Sequence, residues 1–274
     1  MTKKKIRINS ISITAITLAI VLSVGGIYPL NRTIYAHTFS GGESASFLAL
    51  ATQIAAEAHL VQANSQSNIT LAQDHAVDAR QHLDANTTKE LTERNKRVAH
   101  DLTAALIDLQ RSINSTNPPP TTAIVKEKVS NIDGLLQEAL SARVEPDQMK
   151  NATVHILALN NILNEITEHY GGAYGIEEGK QNETSTQNRI VNMADYQSAQ
   201  SYANQTLQMF NDTKRVASSN ITSSPEFSKI DTDLTSLKNA IESKKQFKEV
   251  QQIIEGQIRP HIESAFKLKL KGEA

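Results

Sequence analysis

The chain has no cysteine and no tryptophan among its 274 residues. Without thiols there are no disulfide staples, no thiolate metal sites and no cysteine nucleophile. Aromatic residues make up only 4%, too few to fill a large sandwich or barrel and well suited to helices packed through Ala and Leu. Neither sign of charge dominates: 28 basic and 29 acidic residues leave a net charge of -1. Charge therefore gives no reason to expect nucleic acid or an acidic surface as partner. A Gly-rich phosphate loop, a GxSxG elbow, an HExxH helix and an acidic calcium loop are all missing. Basic residues rarely alternate with aromatics, which argues against a nucleic-acid groove. No complete catalytic set is left.

The N-terminus is the most informative stretch. Lys3, Lys4, Lys5 and Arg7 precede 23 uncharged residues, Ile8 to Leu30, with a strongly apolar centre from Ile13 to Ile27. Asn31-Arg32-Thr33-Ile34-Tyr35-Ala36 follows, with an Ala-ended cleavage pattern. Residues 1–36 are expected to be a signal peptide or a retained membrane anchor, since 23 residues also suffice to cross a bilayer. Positive charge ahead of the apolar run places the rest of the chain outside the cytoplasmic membrane, secreted or anchored to its outer face. Membrane contact is then expected only through residues 8–30, if uncleaved.

Asn-x-Thr occurs at Asn31, Asn68, Asn86, Asn114, Asn151, Asn182, Asn204, Asn211 and Asn220. The eight beyond Ala36 are candidate glycosylation sites of an exported protein. Asn and Thr also gather at helix caps and turns, which gives the same pattern a purely structural explanation.

Past Ala36 the apolar residues recur at helical spacing, and no alternation lasts long enough for a sheet. Phe47, Leu50, Ile54, Ala58 and Val61 make one stripe; Leu71, Ala72, His75, Ala76, Ala79, His82 and Leu83 make a second. A long third helix is predicted from Thr88 to Ile113, ended by Pro118-Pro119-Pro120. Two more stripes, Ile124–Leu140 and Met149–Ile166, lead to Gly171-Gly172. Beyond a polar connector the pattern returns from Ile190 to Phe210, Phe227 to Ile241 and Phe247 to Leu270, with Pro260 set to kink or divide the last helix. The fold expected is all-α: amphipathic bundles of seven or eight helices after the N-terminal segment. Residues 37–172 form a first bundle region, 173–185 an exposed connector, and 186–274 a second region packed on the first.

Histidine alone suggests chemistry. Cleavage after Ala36 would make His37 the mature N-terminus, pairing a free amine with an imidazole nitrogen in a set suited to copper. His75 and His82, seven residues apart on an Ala-rich side of one helix, are metal candidates if a neighbour supplies His59, Glu57 or another ligand. Asp74, Asp78 and Arg80 read as the polar side of that helix. His155 and His169 lie about 21 Å apart along their helix and cannot share an ion. The alternative for each buried histidine is an ordinary hydrogen bond in the core.

The segments His37-Thr38-Phe39-Ser40-Gly41-Gly42-Glu43-Ser44-Ala45-Ser46-Phe47-Leu48-Ala49-Leu50, Leu71-Ala72-Gln73-Asp74-His75-Ala76 and Glu93-Arg94-Asn95-Lys96-Arg97-Val98-Ala99 carry a resemblance to a group of exported helical proteins from ammonia-oxidising archaea. The resemblance implies an archaeal cell surface, copper-rich physiology and N-glycosylation, and assigns no catalytic residue. The functional expectation is an extracytoplasmic interaction or surface-complex protein that binds a membrane or cell-surface protein, without evident catalytic activity. Its alternative is a histidine-based protein for copper or another transition metal.

Overall fold

A computed structural model describes residues 40–115, 120–176 and 189–270. Residues 37–274 make up one compact unit; residues 1–36 are divided from it and lie outside the described residues. The helices in order are α1 (Gly41–Asn64), α2 (Ile69–Gln81), α3 (Ala85–Arg94), α4 (Lys96–Asn114), α5 (Thr122–Arg143), α6 (Pro146–Met149) and α7 (Ala152–Ala173). After the connector come α8 (Met193–Val216), α9 (Ser219–Thr222), α10 (Pro225–Glu242), α11 (Phe247–Ile253) and α12 (Arg259–Phe266), the last two joined by a π turn at Ile254–Ile258. There is no strand among the described residues.

The starts are set by polar side chains that accept free backbone N–H groups of the first turn. Ser40 and Glu43 form a reciprocal capping box on α1, and Asn68, Asp84, Thr121, Asn151, Asn192 and Ser224 cap α2, α3, α5, α7, α8 and α10. Two of the glycosylation candidates, Asn68 and Asn151, are thus helix caps. Asn86, Asn114, Asn211 and Asn220 are exposed, Asn204 is half-buried in mid-α8, and Asn182 lies outside the described residues.

The count of seven or eight helices is corrected. Leaving aside the single turns α6 and α9, and taking α11, the π turn and α12 as one continuous rod, nine helices remain among the described residues. Asn95 accounts for part of the difference. Its backbone is extended (φ -152°, ψ 90°) and its side chain accepts the Val98 N–H, so it ends α3 and begins α4 where one long helix was expected. At the other end, Pro260 does not divide the last helix, which runs on through it. The π turn immediately before it absorbs the hydrogen bond that proline cannot donate.

The membrane expectation is corrected as well. Among the described residues no helix is long and apolar enough to cross a membrane. The 24-residue α1 has the length, but it contains Gln53 and Glu57 and is enclosed by protein. The signal or anchor expected over residues 1–36 lies outside the described residues. The described residues thus contain no helix that could serve as the expected membrane anchor.

Helix α1 is the centre of the fold. Every residue from Ala51 to Ala58 is buried, where the sequence showed a single stripe. Its alanines let α2, α5, α7 and α8 close around it, and the most extensive packing in the molecule is between α7 and α8. Tyrosine hydroxyls from the end of α7 and the start of α8 hold the end of α10. Tyr170 donates to the Lys245 carbonyl (2.6 Å), Tyr174 to Lys244 (3.1 Å) and Tyr196 to Ile241 (3.1 Å), all carbonyls at or just beyond the last turn of α10.

Candidate metal centre

A carboxylate in the middle of an alanine-rich helix must find partners, because an unpaired charge in an apolar interior is costly. Glu57 sits midway along α1 among Ala55, Ala56 and Ala58, fully buried. The side chains that meet it come from α2 and α8. His75 Nδ1 lies 2.7 Å from Glu57 Oε2, and the Tyr202 hydroxyl donates to Glu57 Oε1 at 2.8 Å. Asp78 follows His75 by one helical turn and so shares its face of α2. One donor atom each from Glu57, His75 and Asp78 lie within 4.8 Å of one another. A buried His/Glu/Asp cluster able to coordinate a metal ion is therefore present, with half-buried Asp78 as its most exposed member.

The hydrogen-bond network assigns the protons. Asn64 Nδ2 donates to the Leu60 carbonyl at 2.9 Å, which can only accept, so the amide orientation of Asn64 is determined. The same Nδ2 donates at 2.8 Å to Gln197 Oε1, which makes that oxygen an acceptor. Gln197 Oε1 also lies 2.9 Å from His75 Nε2, so Nε2 carries a proton and donates it. Without a metal, Nδ1 donates to Glu57 and His75 is an imidazolium. Tyr202 has one hydroxyl proton, already directed at Glu57, so His82 Nε2 at 3.2 Å donates to the Tyr202 oxygen.

Electrostatics agree with this assignment. Burial alone would raise Glu57, but the hydrogen bond and charge of His75 outweigh it and hold the carboxyl below its ordinary value. Burial likewise works against charge on His75, yet Glu57 and Gln197 raise it overall. His82, whose burial dominates, is lowered and stays neutral. Burial and the Glu57 charge keep Tyr202 protonated well beyond the phenol range. Asp78 is pushed up to about 6, first by burial and then by the Glu57 carboxylate beside it. Two carboxylates in one pocket repel, and a divalent cation between them removes that penalty.

The remaining sequence candidates lie elsewhere. His82 is two turns from His75 and bonds Tyr202, not the Glu57 cluster. His59 is directed at Asp133 of α5, at an ion-pair distance of 3.2 Å without hydrogen-bond alignment. His37 lies outside the described residues. Of the three proposed metal ligands among the described residues, His59, His75 and His82, His75 alone belongs to the cluster. His155 and His169 have separate partners, the Met149 carbonyl (2.7 Å) and Asp195 (2.9 Å). The sequence reading named Glu57 as a possible neighbour and missed Asp78, which it put on the polar side of α2. The His-x-x-Asp spacing was the available signal, because residues three apart share a helical face.

No protein-family model matches the chain, and no curated protein or solved structure is detectably similar to it.

Proposed function

We propose that this protein binds a divalent transition-metal ion through Glu57, His75 and Asp78 within its helical bundle. The observation that carries the reading is the convergence of these three donors, two of them fully buried, within 4.8 Å. The surroundings suit a ligand set. A metal-binding imidazole ordinarily donates its second N–H to a fixed acceptor, and His75 Nε2 does so to Gln197. The ion takes the place of the Nδ1 proton. Ligand atoms around a tetrahedral ion stand about 3.3 Å apart, so the 2.7 Å Glu57–His75 contact opens by about half an ångström on loading.

One imidazole and two carboxylates make a mixed nitrogen and oxygen set of borderline hardness. Zinc, manganese and ferrous iron suit it, and nothing in the donor set singles out copper. Competition titration of chelator-stripped full-length protein against a chromophoric chelator tests the reading. Zinc binding at one equivalent, weakened at least a hundredfold by His75→Ala and by Asp78→Asn, is expected. Binding weaker than millimolar in wild type, or unaffected by both substitutions, contradicts it.

A further inference from the structure

The centre has a second feature that bears on which ion it takes. Glu57 offers two oxygens, and the fold has already used one of them. Oε2 faces His75 at 2.7 Å, whereas Oε1 accepts the Tyr202 hydroxyl at 2.8 Å. We propose that Tyr202 is a specificity-determining residue, which restricts Glu57 to one coordinating oxygen and so selects small ions of low coordination number over calcium. This inference rests on the metal-binding reading and refines it.

Three observations hold Tyr202 in that role. Its side chain is fully buried, and the His169 ring stacks edge-on against it at 5.4 Å between centroids, so the phenol has no room to swing away. Its oxygen is held from the other side by His82 Nε2 at 3.2 Å. Because a hydroxyl has a single proton and a carboxylate can only accept, the Tyr202 O–H stays directed at Glu57 Oε1. An ion approaching Oε2 therefore meets a carboxylate whose other oxygen is bonded and sterically covered. Calcium requires six to eight oxygens and draws on bidentate carboxylates, whereas zinc is satisfied by four donors. Three protein donors with Glu57 monodentate leave one position for water on zinc and far too few for calcium.

The test compares zinc, manganese and calcium binding to full-length wild type, Tyr202→Phe and the double variant His82→Leu/Tyr202→Phe. The double variant removes both ends of the tyrosine–histidine hydrogen bond and leaves no orphaned N–H. The zinc-over-calcium affinity ratio is expected to fall by about tenfold or more in each variant, the scale seen for groups that orient metal ligands. An unchanged ratio in a variant that melts cooperatively, while wild type binds zinc, overturns the role of Tyr202 and leaves the metal site standing. If neither variant folds, X-ray absorption at the zinc edge of wild type decides: a monodentate Glu57 supports the role and a bidentate one overturns it. A wild type that binds none of the three ions removes the metal-binding reading itself, and this inference with it.

Discussion

Asn64 on α1 and Gln197 on α8 face each other across the bundle through two side-chain hydrogen bonds, 2.8 and 3.4 Å long. Because Asn64 is anchored on the Leu60 carbonyl, this pair fixes Gln197 Oε1 as the acceptor of the His75 Nε2 proton and so leaves Nδ1 facing Glu57. Gln197→Leu removes the acceptor and leaves a buried Nε2–H without a partner. The expected result is a loss of about 1–3 kcal/mol in stability and a ten- to hundredfold loss in zinc affinity. Denaturant titration and metal competition on the same variant measure both.

Breaking the Glu57–His75 pair should cost far more than an exposed ion pair is worth. Each side chain is fully buried, so His75→Ala or Glu57→Gln leaves the other group uncompensated, with an expected loss of about 3–5 kcal/mol. Replacing both with leucine removes the orphaned charge and should recover much of the loss. Urea midpoints for Glu57→Leu, His75→Leu and the double-leucine variant form a cycle. Additive losses would show that the two groups do not act as a pair.

Asp78 is expected to behave in the opposite way. Its carboxyl titrates at about 6 in the fold, against about 4 in an unfolded chain, so the folded state holds the proton more tightly. Stability from this group is present below about pH 4, is withdrawn as pH rises from about 4 to about 6, and stays withdrawn above that. Asp78→Asn should therefore stabilise the metal-free protein at pH 7 by about 1 kcal/mol, a figure reduced for the solvent screening of a half-exposed carboxyl. The advantage should vanish near pH 4. With saturating zinc the order should reverse, since only wild type gains the full binding energy. Thermal melts at both pH values, with and without zinc, provide the check.

The tyrosine clasp at the end of α10 gives a prediction independent of any metal. Tyr170→Phe removes the donor to the Lys245 carbonyl and should cost about 1–2 kcal/mol, with no effect on zinc affinity. A shift in the denaturation midpoint with an unchanged zinc titration is the expected outcome.

Much of the fold was legible because helical periodicity and breakers are local. The stripes of α2, α5, α7, α8 and α10, and the stop before Pro120, could be read directly. Asn95 was not legible as a boundary. Asparagine is tolerated inside helices, and only its extended backbone and its bond to Val98 reveal the cap. The centrality of α1 was also hidden, because an alanine counts weakly in a stripe yet marks where helices approach most closely. His75 was recognisable from its place on the Ala-rich face of α2. Its partnership with Asp78 looked like polar surface, because a half-buried aspartate and a solvated one are alike in sequence. Tyr202, 145 positions from Glu57, is joined to it only by tertiary packing.

One divalent ion is expected between Glu57, His75 and Asp78. Anomalous diffraction from crystals loaded with zinc, collected on both sides of the zinc absorption edge, tests it most directly. The expected result is a single dominant anomalous peak bonded to His75 Nδ1, Glu57 Oε2 and an Asp78 oxygen, with His75 Nε2 still on Gln197. Zinc found only at surface pairs such as His100–Asp101, with His75 Nδ1 still 2.7 Å from Glu57, would contradict it.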